Sequence, residues 1–348
     1  MNLNGKRILM TTGGGLGDMI CFTPALRRMK ELYPDVRITF MTKRGNHEVM
    51  QGLPYLEKVI YIIRGKAFGR YRVLPDFWHQ DAVVFTDWQP QLLLFSKLFR
   101  IPVRAGIPRP GHTLDGFLTK HLKTNVMKSR DYAAETNARL FSEALGIKLD
   151  GPMDRLDVAM PSERVRRETA ALLESIGLED GQPFLLLSPF ASMEQRNWPA
   201  DSVRAFVQRA EAELHLPVVI SAPPQQAELA ASFSRYSLAG RTGTMQLVEL
   251  VCRARLLVTP DSGPMHVAGA VGTDCVALFS KDLPSRWAPR HHCVPIYLGE
   301  PCSPCTDETA RQCPTVRCMR AITADMVLER CEAMLCGKHP EEDAGVTV

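Results

Sequence analysis

The chain has 348 residues, 45% of them hydrophobic, and 42 Lys and Arg against 38 Asp and Glu give it a net charge of +4. That length can bury two cores of ordinary domain size, and with no run of about 18 apolar residues it excludes a membrane-spanning helix. Ten cysteines, behind an N-terminus that reads as a strand rather than a signal peptide, predict a cytoplasmic protein with free thiols or metal ligands in place of disulfides.

The first predicted strand, 8–12, runs into Gly13-Gly14-Gly15-Leu16-Gly17-Asp18 and then an amphipathic helix around 18–33 carrying Ile20, Leu26, Met29 and Leu32. No Lys-Ser/Thr pair closes the glycines, so the loop is not a P-loop, and Asp18 stands where a dinucleotide fingerprint places its third glycine. An acid there repels a pyrophosphate. It is placed either to take a proton from a neutral hydroxyl or to cap the helix. Strands at 36–42, 59–62 and 82–86 follow, alternating with helices around 45–52, 89–99 and 131–146.

This half is basic: residues 1–150 hold 23 Lys and Arg against 13 Asp and Glu, while 151–348 hold 19 against 25. Arg64, Lys66, Arg70 and Arg72 share one loop-like stretch, and Arg104, Arg109, Lys120, Lys123, Lys128 and Arg130 a second. Such clusters either decorate a solvated face or meet an anionic partner, a phosphorylated glycolipid or an anionic membrane surface. Few interleaved aromatics and no recognisable module speak against nucleic acid.

Gly151, Pro152 and Pro161 interrupt the periodicity near 148–162, where a domain boundary is predicted. Beyond it, helices around 162–176, 201–214, 224–234, 244–253 and 264–271 alternate with strands at 184–188, 218–221, 256–259 and 275–279. Alternation of this kind implies one parallel sheet per half with helices on both faces, and ligands beyond the carboxyl ends of the strands. A cleft between the two facing domains would then contain Asp18 and Asp261 together. After strand 184–188 comes Arg196, followed by Trp198-Pro199; it is either a solvated charge or a phosphate clamp. After strand 256–259 comes Asp261-Ser262-Gly263-Pro264-Met265-His266, a strand-to-helix turn of the kind that offers backbone N–H groups to an anion. Asp261 or Ser262 serves there as a ligand-site residue or as a plain cap. Finally Cys302, Cys305, Cys313 and Cys318 have the number and spacing to surround one tetrahedral ion, zinc or iron, or stand as four reduced thiols.

Gly17-Asp18-Met19-Ile20 with Thr23-Pro24-Ala25-Leu26, Arg196-Asn197-Trp198-Pro199, Ala239-Gly240-Arg241-Thr242 and Asp261-Ser262-Gly263-Pro264-Met265-His266 together resemble the glycosyltransferase family of the ADP-heptose:lipopolysaccharide heptosyltransferases. The resemblance runs from residue 8 to about 320 and implies a GT-B fold: two facing Rossmann-like doubly wound domains, 1–160 for the acceptor and 161–322 for the nucleotide sugar, with a cleft between them. It further implies a helix at 323–337 crossing back to the first domain; the tail 338–348 reads as disordered.

By the same resemblance Asp18 is the catalytic base of an inverting transfer that needs no catalytic cofactor, with closure of the two domains bringing base and donor together. Arg196, Asp261, Ser262, Gly263, His266, Gln225 and Met245 bind the donor, an ADP-heptose. Gly17 joins Arg64, Lys66, Arg70 and Arg72 on the acceptor side, facing the lipopolysaccharide inner core at the inner membrane surface. Relatives often carry lysine at the position of Arg196 and an acid after strand 218–221, where this chain reads Pro223-Pro224-Gln225-Gln226. They also often carry a cysteine-rich segment near 302–318, which keeps a structural zinc or iron there open beside four free thiols. Transfer to a different acceptor, a protein or another glycan, is the alternative. An NADP-binding oxidoreductase using Gly13–Gly17 and Lys43-Arg44 leaves Asp18 and the 261–266 turn without a role, and a non-catalytic nucleotide binder leaves Asp18 without one.

Overall fold

A computed structural model describes residues 2–62, 71–109, 111–125 and 128–337. The chain divides into two compact units, Met1–Ala159 and Met160–Val348. In the first, strands β1 (Arg7–Thr11), β2 (Arg37–Lys43), β3 (Lys58–Ile62), β4 (Ala82–Phe85), β5 (Val103–Gly106) and β6 (Lys120–His121) pair in parallel, in the order β3-β2-β1-β4-β5-β6. The central strands are buried on both faces, which is why they read as continuous apolar runs. Leu9, Met41, Val83 and Phe85 enter one apolar cluster with Phe77 and Leu93.

The helix predicted at 18–33 is two helices, α1 (Leu16–Ile20) and α2 (Thr23–Leu32). The cause is local. Pro24 has no N–H to give the Ile20 carbonyl, and the Thr23 hydroxyl donates to it instead at 2.6 Å. Helices α3 (Pro90–Leu98) and α4 (Ala133–Leu145) complete the unit's main helices. Strands β5 and β6 escape the sequence pattern because Arg104 interrupts one and the other has two residues. Arg104, counted above among surface charges, is 9% exposed, and its guanidinium donates to the carbonyls of Phe117 and Ile101. It is an internal brace.

The second unit holds α5 (Glu163–Glu174), β7 (Leu185–Leu187), α6 (Ala200–Glu213), β8 (Val218–Ile220), α7 (Ala227–Ala231) and α8 (Thr244–Arg253). There follow β9 (Leu256–Pro260), α9 (Gly263–Val271), β10 (Cys275–Phe279), α10 (Pro284–Trp287) and β11 (Cys293–Tyr297). Last come α11 (Asp307–Arg311), α12 (Arg317–Arg320) and α13 (Ala324–Leu335). Its parallel sheet runs β11-β10-β9-β7-β8. The unpredicted β11 is an edge strand, where Pro295 is tolerated. Helix α13, expected to cross back to the first unit, buries Val327, Leu328, Cys331 and Met334 in the second unit's own core and packs on α6 and β10. The tail 338–348 lies outside the described residues. All ten cysteines are free thiols.

Candidate functional site

Each sheet reverses its strand order once, and Asp18, Arg196 and the 261–266 turn follow the strands at those two points. A crevice opens at such a reversal because the flanking connections run to opposite faces. In the first unit the reversal lies between β1 and β4. There the Gly13 N–H donates to Asp87 Oδ1 at 2.9 Å, the Thr11 hydroxyl donates to Gln89 Oε1 at 3.0 Å, and Gln89 Nε2 donates back to Asp87 Oδ1 at 2.6 Å. The glycine loop is thereby pinned to the connection after β4.

Asp18, in the first turn of α1, accepts the Gly15 N–H on Oδ2 at 2.7 Å. The capping role is real, and a residue so held presents its carboxylate at a fixed place. Gly14 is required there: a Cβ on it would stand 2.8 Å from Asp18 Cβ. Gly17 is buried beside Asp18 in α1. Of the basic stretch, Arg64, Lys66 and Arg70 lie outside the described residues. Arg72 is exposed and donates to the Tyr61 hydroxyl at 3.1 Å, its guanidinium 5.1 Å from that ring's centre.

In the second unit the reversal lies between β7 and β9, and Arg196 spans it. Nη1 donates to the carbonyl and to Oδ2 of Asp261 at 3.1 and 3.2 Å, and Nη2 donates to the Ser192 hydroxyl at 3.0 Å. Nε is buried without a hydrogen-bond partner. The loop is set by its neighbours: Trp198 is buried against Phe206 and donates from Nε1 to the Ile322 carbonyl, while Asn197 Oδ1 accepts the Ala191 N–H. Arg196 is therefore a fixed cation and not a solvated one.

Ser262 occupies the N-cap of α9, yet its side chain makes no capping bond; its hydroxyl pairs with that of Thr259 at 2.9 Å. No Ser262 side-chain bond caps this nine-residue helix; Pro264 has no N–H and the Met265 N–H donates to the Ser262 carbonyl at 3.2 Å, so the Gly263 N–H heads the helix. Asp261 is 5% exposed; burial pushes its carboxyl up to about 6, against the pull of Arg196. Its carboxylate holds Arg196, so it positions the cation. His266, 3% exposed, is pushed down to about 4 by burial and then by the Arg196 charge, so it is neutral at pH 7. Its ring meets Trp287 edge-on at 6.2 Å. Gln225 is exposed in the turn after β8, and Met245 is half-buried in the first turn of α8.

Sequence reasoning missed a second charged group at this edge. Directly after β10, Lys281 is 8% exposed and bridges Asp282 and Asp307 at 2.7 and 2.9 Å, and Asp282 faces Arg286 at 3.8 Å. Asp282 and Lys281 both act on the Asp261 charge. The available signal was the same one used elsewhere, polar residues at the end of an apolar strand.

The cysteine-rich segment adjoins this network, with the Cys305 N–H donating to the Lys281 carbonyl. Cys302 is exposed, and Cys313 Sγ accepts the Val316 N–H. Burial raises the thiols of Cys305 and Cys318, with a smaller push from the neighbouring sulfurs. In number and softness four thiols suit zinc or iron. Among the described residues, however, no three His, Cys, Asp or Glu converge as ligands, so the expected metal centre is not formed by their geometry.

Two parallel-sheet α/β units, each with polar residues at the switch point where such sheets bind ligands, set the architecture, and comparison with known proteins makes it specific. Residues 94–315 match the model of glycosyltransferase family 9 (heptosyltransferase). The lipopolysaccharide core heptosyltransferase OpsX of Haemophilus influenzae is 30% identical over 82% of each chain. The glycosyl transferase family 9 structure from Veillonella parvula superposes with a TM-score of 0.82 at 20% identity, covering 97% of this chain and 99% of the other. The E. coli ADP-heptose lps heptosyltransferase II gives 0.75 at 20% identity, over 96% and 99%. The chain belongs to glycosyltransferase family 9. It is a glycosyltransferase.

Proposed function

We propose that the protein moves a heptose from an ADP-heptose donor to the inner core of lipopolysaccharide, with inversion at the anomeric carbon. The observation that carries the reading is the Arg196–Asp261 pair bridging β7 and β9 beside the start of α9. Charge accumulates on the leaving diphosphate as the glycosidic bond breaks. A guanidinium fixed by Asp261 and Ser192, together with the Gly263 N–H at the head of α9, is preorganised to stabilise that charge. Neutral His266 adds no positive charge there and packs edge-on against Trp287 behind the turn. Gln225 and Met245, past β8 and on α8, fall to the nucleoside end of the donor.

On the acceptor side Asp18 takes the proton from the attacking hydroxyl. Gly17 and the basic residues Arg64, Lys66, Arg70 and Arg72 would meet the anionic glycolipid at the inner membrane surface; no helix among the described residues is long and apolar enough to cross a membrane.

The test is ADP release by the full chain from ADP-heptose, with and without a heptose-deficient lipopolysaccharide acceptor. Acceptor-dependent release is expected, and Arg196→Ala should weaken ADP binding by roughly 1.5–3 kcal/mol, the range for hydrogen bonds to charged groups. Calorimetry showing equal ADP affinity in that variant would remove Arg196 from the site. Absence of transfer to any lipopolysaccharide core, with transfer to a protein, would move the acceptor.

A further inference from the structure

Lys281, directly after β10, is a buried cation that the donor chemistry above does not use. It is 8% exposed, with Nζ 2.7 Å from Asp282 Oδ2 and 2.9 Å from Asp307 Oδ1. Taking an ammonium out of water is costly, so a lysine in this position answers charges that its surroundings cannot leave bare. Asp307 heads α11, and α11 packs on the 194–196 turn that carries Arg196. At the far end of α11 the Arg311 carbonyl accepts from Gln195 Nε2 at 3.4 Å. Asp307 is within electrostatic reach of Arg196 as well as of Lys281, and Asp282 acts on the charge of Asp261.

We infer that Lys281 is a positioning residue for the nucleotide-sugar donor: by holding Asp307 and Asp282 it keeps both carboxylates from competing with the diphosphate for Arg196. The inference rests on the donor reading above and adds a residue behind the proposed phosphate contact. Asp261 already anchors Arg196 from one side. A second carboxylate on the guanidinium would stand in for the phosphate, because both anions fit the same planar fork. A carboxylate carried in by α11 is tethered, so its effective concentration exceeds that of any dissolved donor. Left unanswered, it would occupy the Arg196 donors first.

The ammonium does this without being what keeps α11 in place. The Cys305 N–H donates to the Lys281 carbonyl at 3.0 Å, and the Thr306 hydroxyl caps α11 by accepting the Thr309 N–H at 3.1 Å. These bonds, like that of Gln195, do not involve the Lys281 side chain. With the side chain replaced, Asp307 therefore stays beside the Arg196 turn, and its ion-pair partner is gone.

Titration calorimetry on the full chain with ADP and with adenosine tests this, since adenosine lacks the diphosphate that Arg196 is proposed to hold. Lys281→Gln should weaken ADP binding by about 10-fold or more and leave adenosine within about twofold. Lys281→Arg should keep most of the ADP affinity. Combining Lys281→Gln with Asp307→Asn removes the cation together with an acid it holds, and should return ADP affinity to near the parent's, a rescue that a merely structural lysine would not show. Should Lys281→Gln alone not fold, Asp307→Asn still decides: it removes a competitor and should bind ADP at least as tightly as the parent, and a loss of about 10-fold would overturn the inference. Unchanged ADP affinity in Lys281→Gln overturns it too, as does a combined variant no better than the single one, or equal losses for ADP and adenosine. In each of those cases the donor reading stands as long as Arg196→Ala weakens ADP binding. If Arg196→Ala has no effect either, the donor reading falls and the inference falls with it.

Discussion

Asp18 shows how one side chain holds two roles. Its Oδ2 caps the turn that starts at Gly15, and the same bond fixes the carboxylate expected to act as base. Asp18→Asn keeps an oxygen for the cap and abolishes the base, so transfer should fall by about a hundredfold or more while ADP affinity stays put; a near-parental rate would leave only the cap. Asp261 and His266 form an opposed pair in their response to acid. His266 has its folded value lowered to about 4, so its contribution is complete above pH 6.5 and is lost as pH falls toward 4. Asp261 has its value raised to about 6, so its contribution is present below 3.8 and is lost as pH rises through 6. Each amounts to about 3 kcal/mol at 1.36 kcal/mol per unit, and between pH 4 and 6 they offset. His266→Gln should unmask Asp261 and make the protein gain stability from pH 6.5 to 4.5, whereas Asp261→Asn should make it lose stability over the same span. Urea midpoints at the two pH values read the slopes, and parallel slopes in both variants would refute the pairing.

Among elements, the turn at 13–18 is the most constrained. Gly14→Ala places a methyl 2.8 Å from Asp18 Cβ, so Asp18, the proposed base, must shift although its carboxylate is kept. A displacement of about 1 Å costs on the order of 100-fold, so kcat should drop sharply while donor KM changes little; a parental kcat would show that the loop gives way. What the sequence revealed and what it hid divide along the same physical line. Strands β1, β4, β9 and β10 were legible because central parallel strands are apolar on both faces, and Arg196 and the 261–266 turn were legible from their place after such strands. Edge strand β11 was not, with Pro295 inside it, nor was the break at Cys21–Phe22, which depends on one missing N–H. Lys281 and Asp282 were passed over because a Lys-Asp pair reads as solvent-facing until its burial is known, and Arg104 misled for the same reason.

For the whole molecule, charge is divided between the halves: 23 Lys and Arg against 13 acids in residues 1–150, and 19 against 25 after them. Acceptor binding should weaken as salt rises, since exposed charges are screened beyond a Debye length of about 8–10 Å, while donor binding through the half-buried, short-range Arg196 contact proposed above should respond much less. Neutralising Arg64, Lys66, Arg70 and Arg72 together should raise the acceptor KM and spare the donor's. Equal salt sensitivity for both substrates would reduce the basic half to a solvated surface. The strand orders carry a separate consequence, in time rather than space. Gly13 is held by Asp87, 74 residues later, and Ser188 by Thr259, 71 residues later, so each site closes only through a distant strand. On a ribosome adding about 5–20 residues per second, the glycine loop emerges several seconds before the residues that fix it. Pairings of such long separation also form slowly. Amides of the 13–18 loop should therefore gain protection from hydrogen exchange late in refolding, in step with β4 rather than with their own neighbour β2.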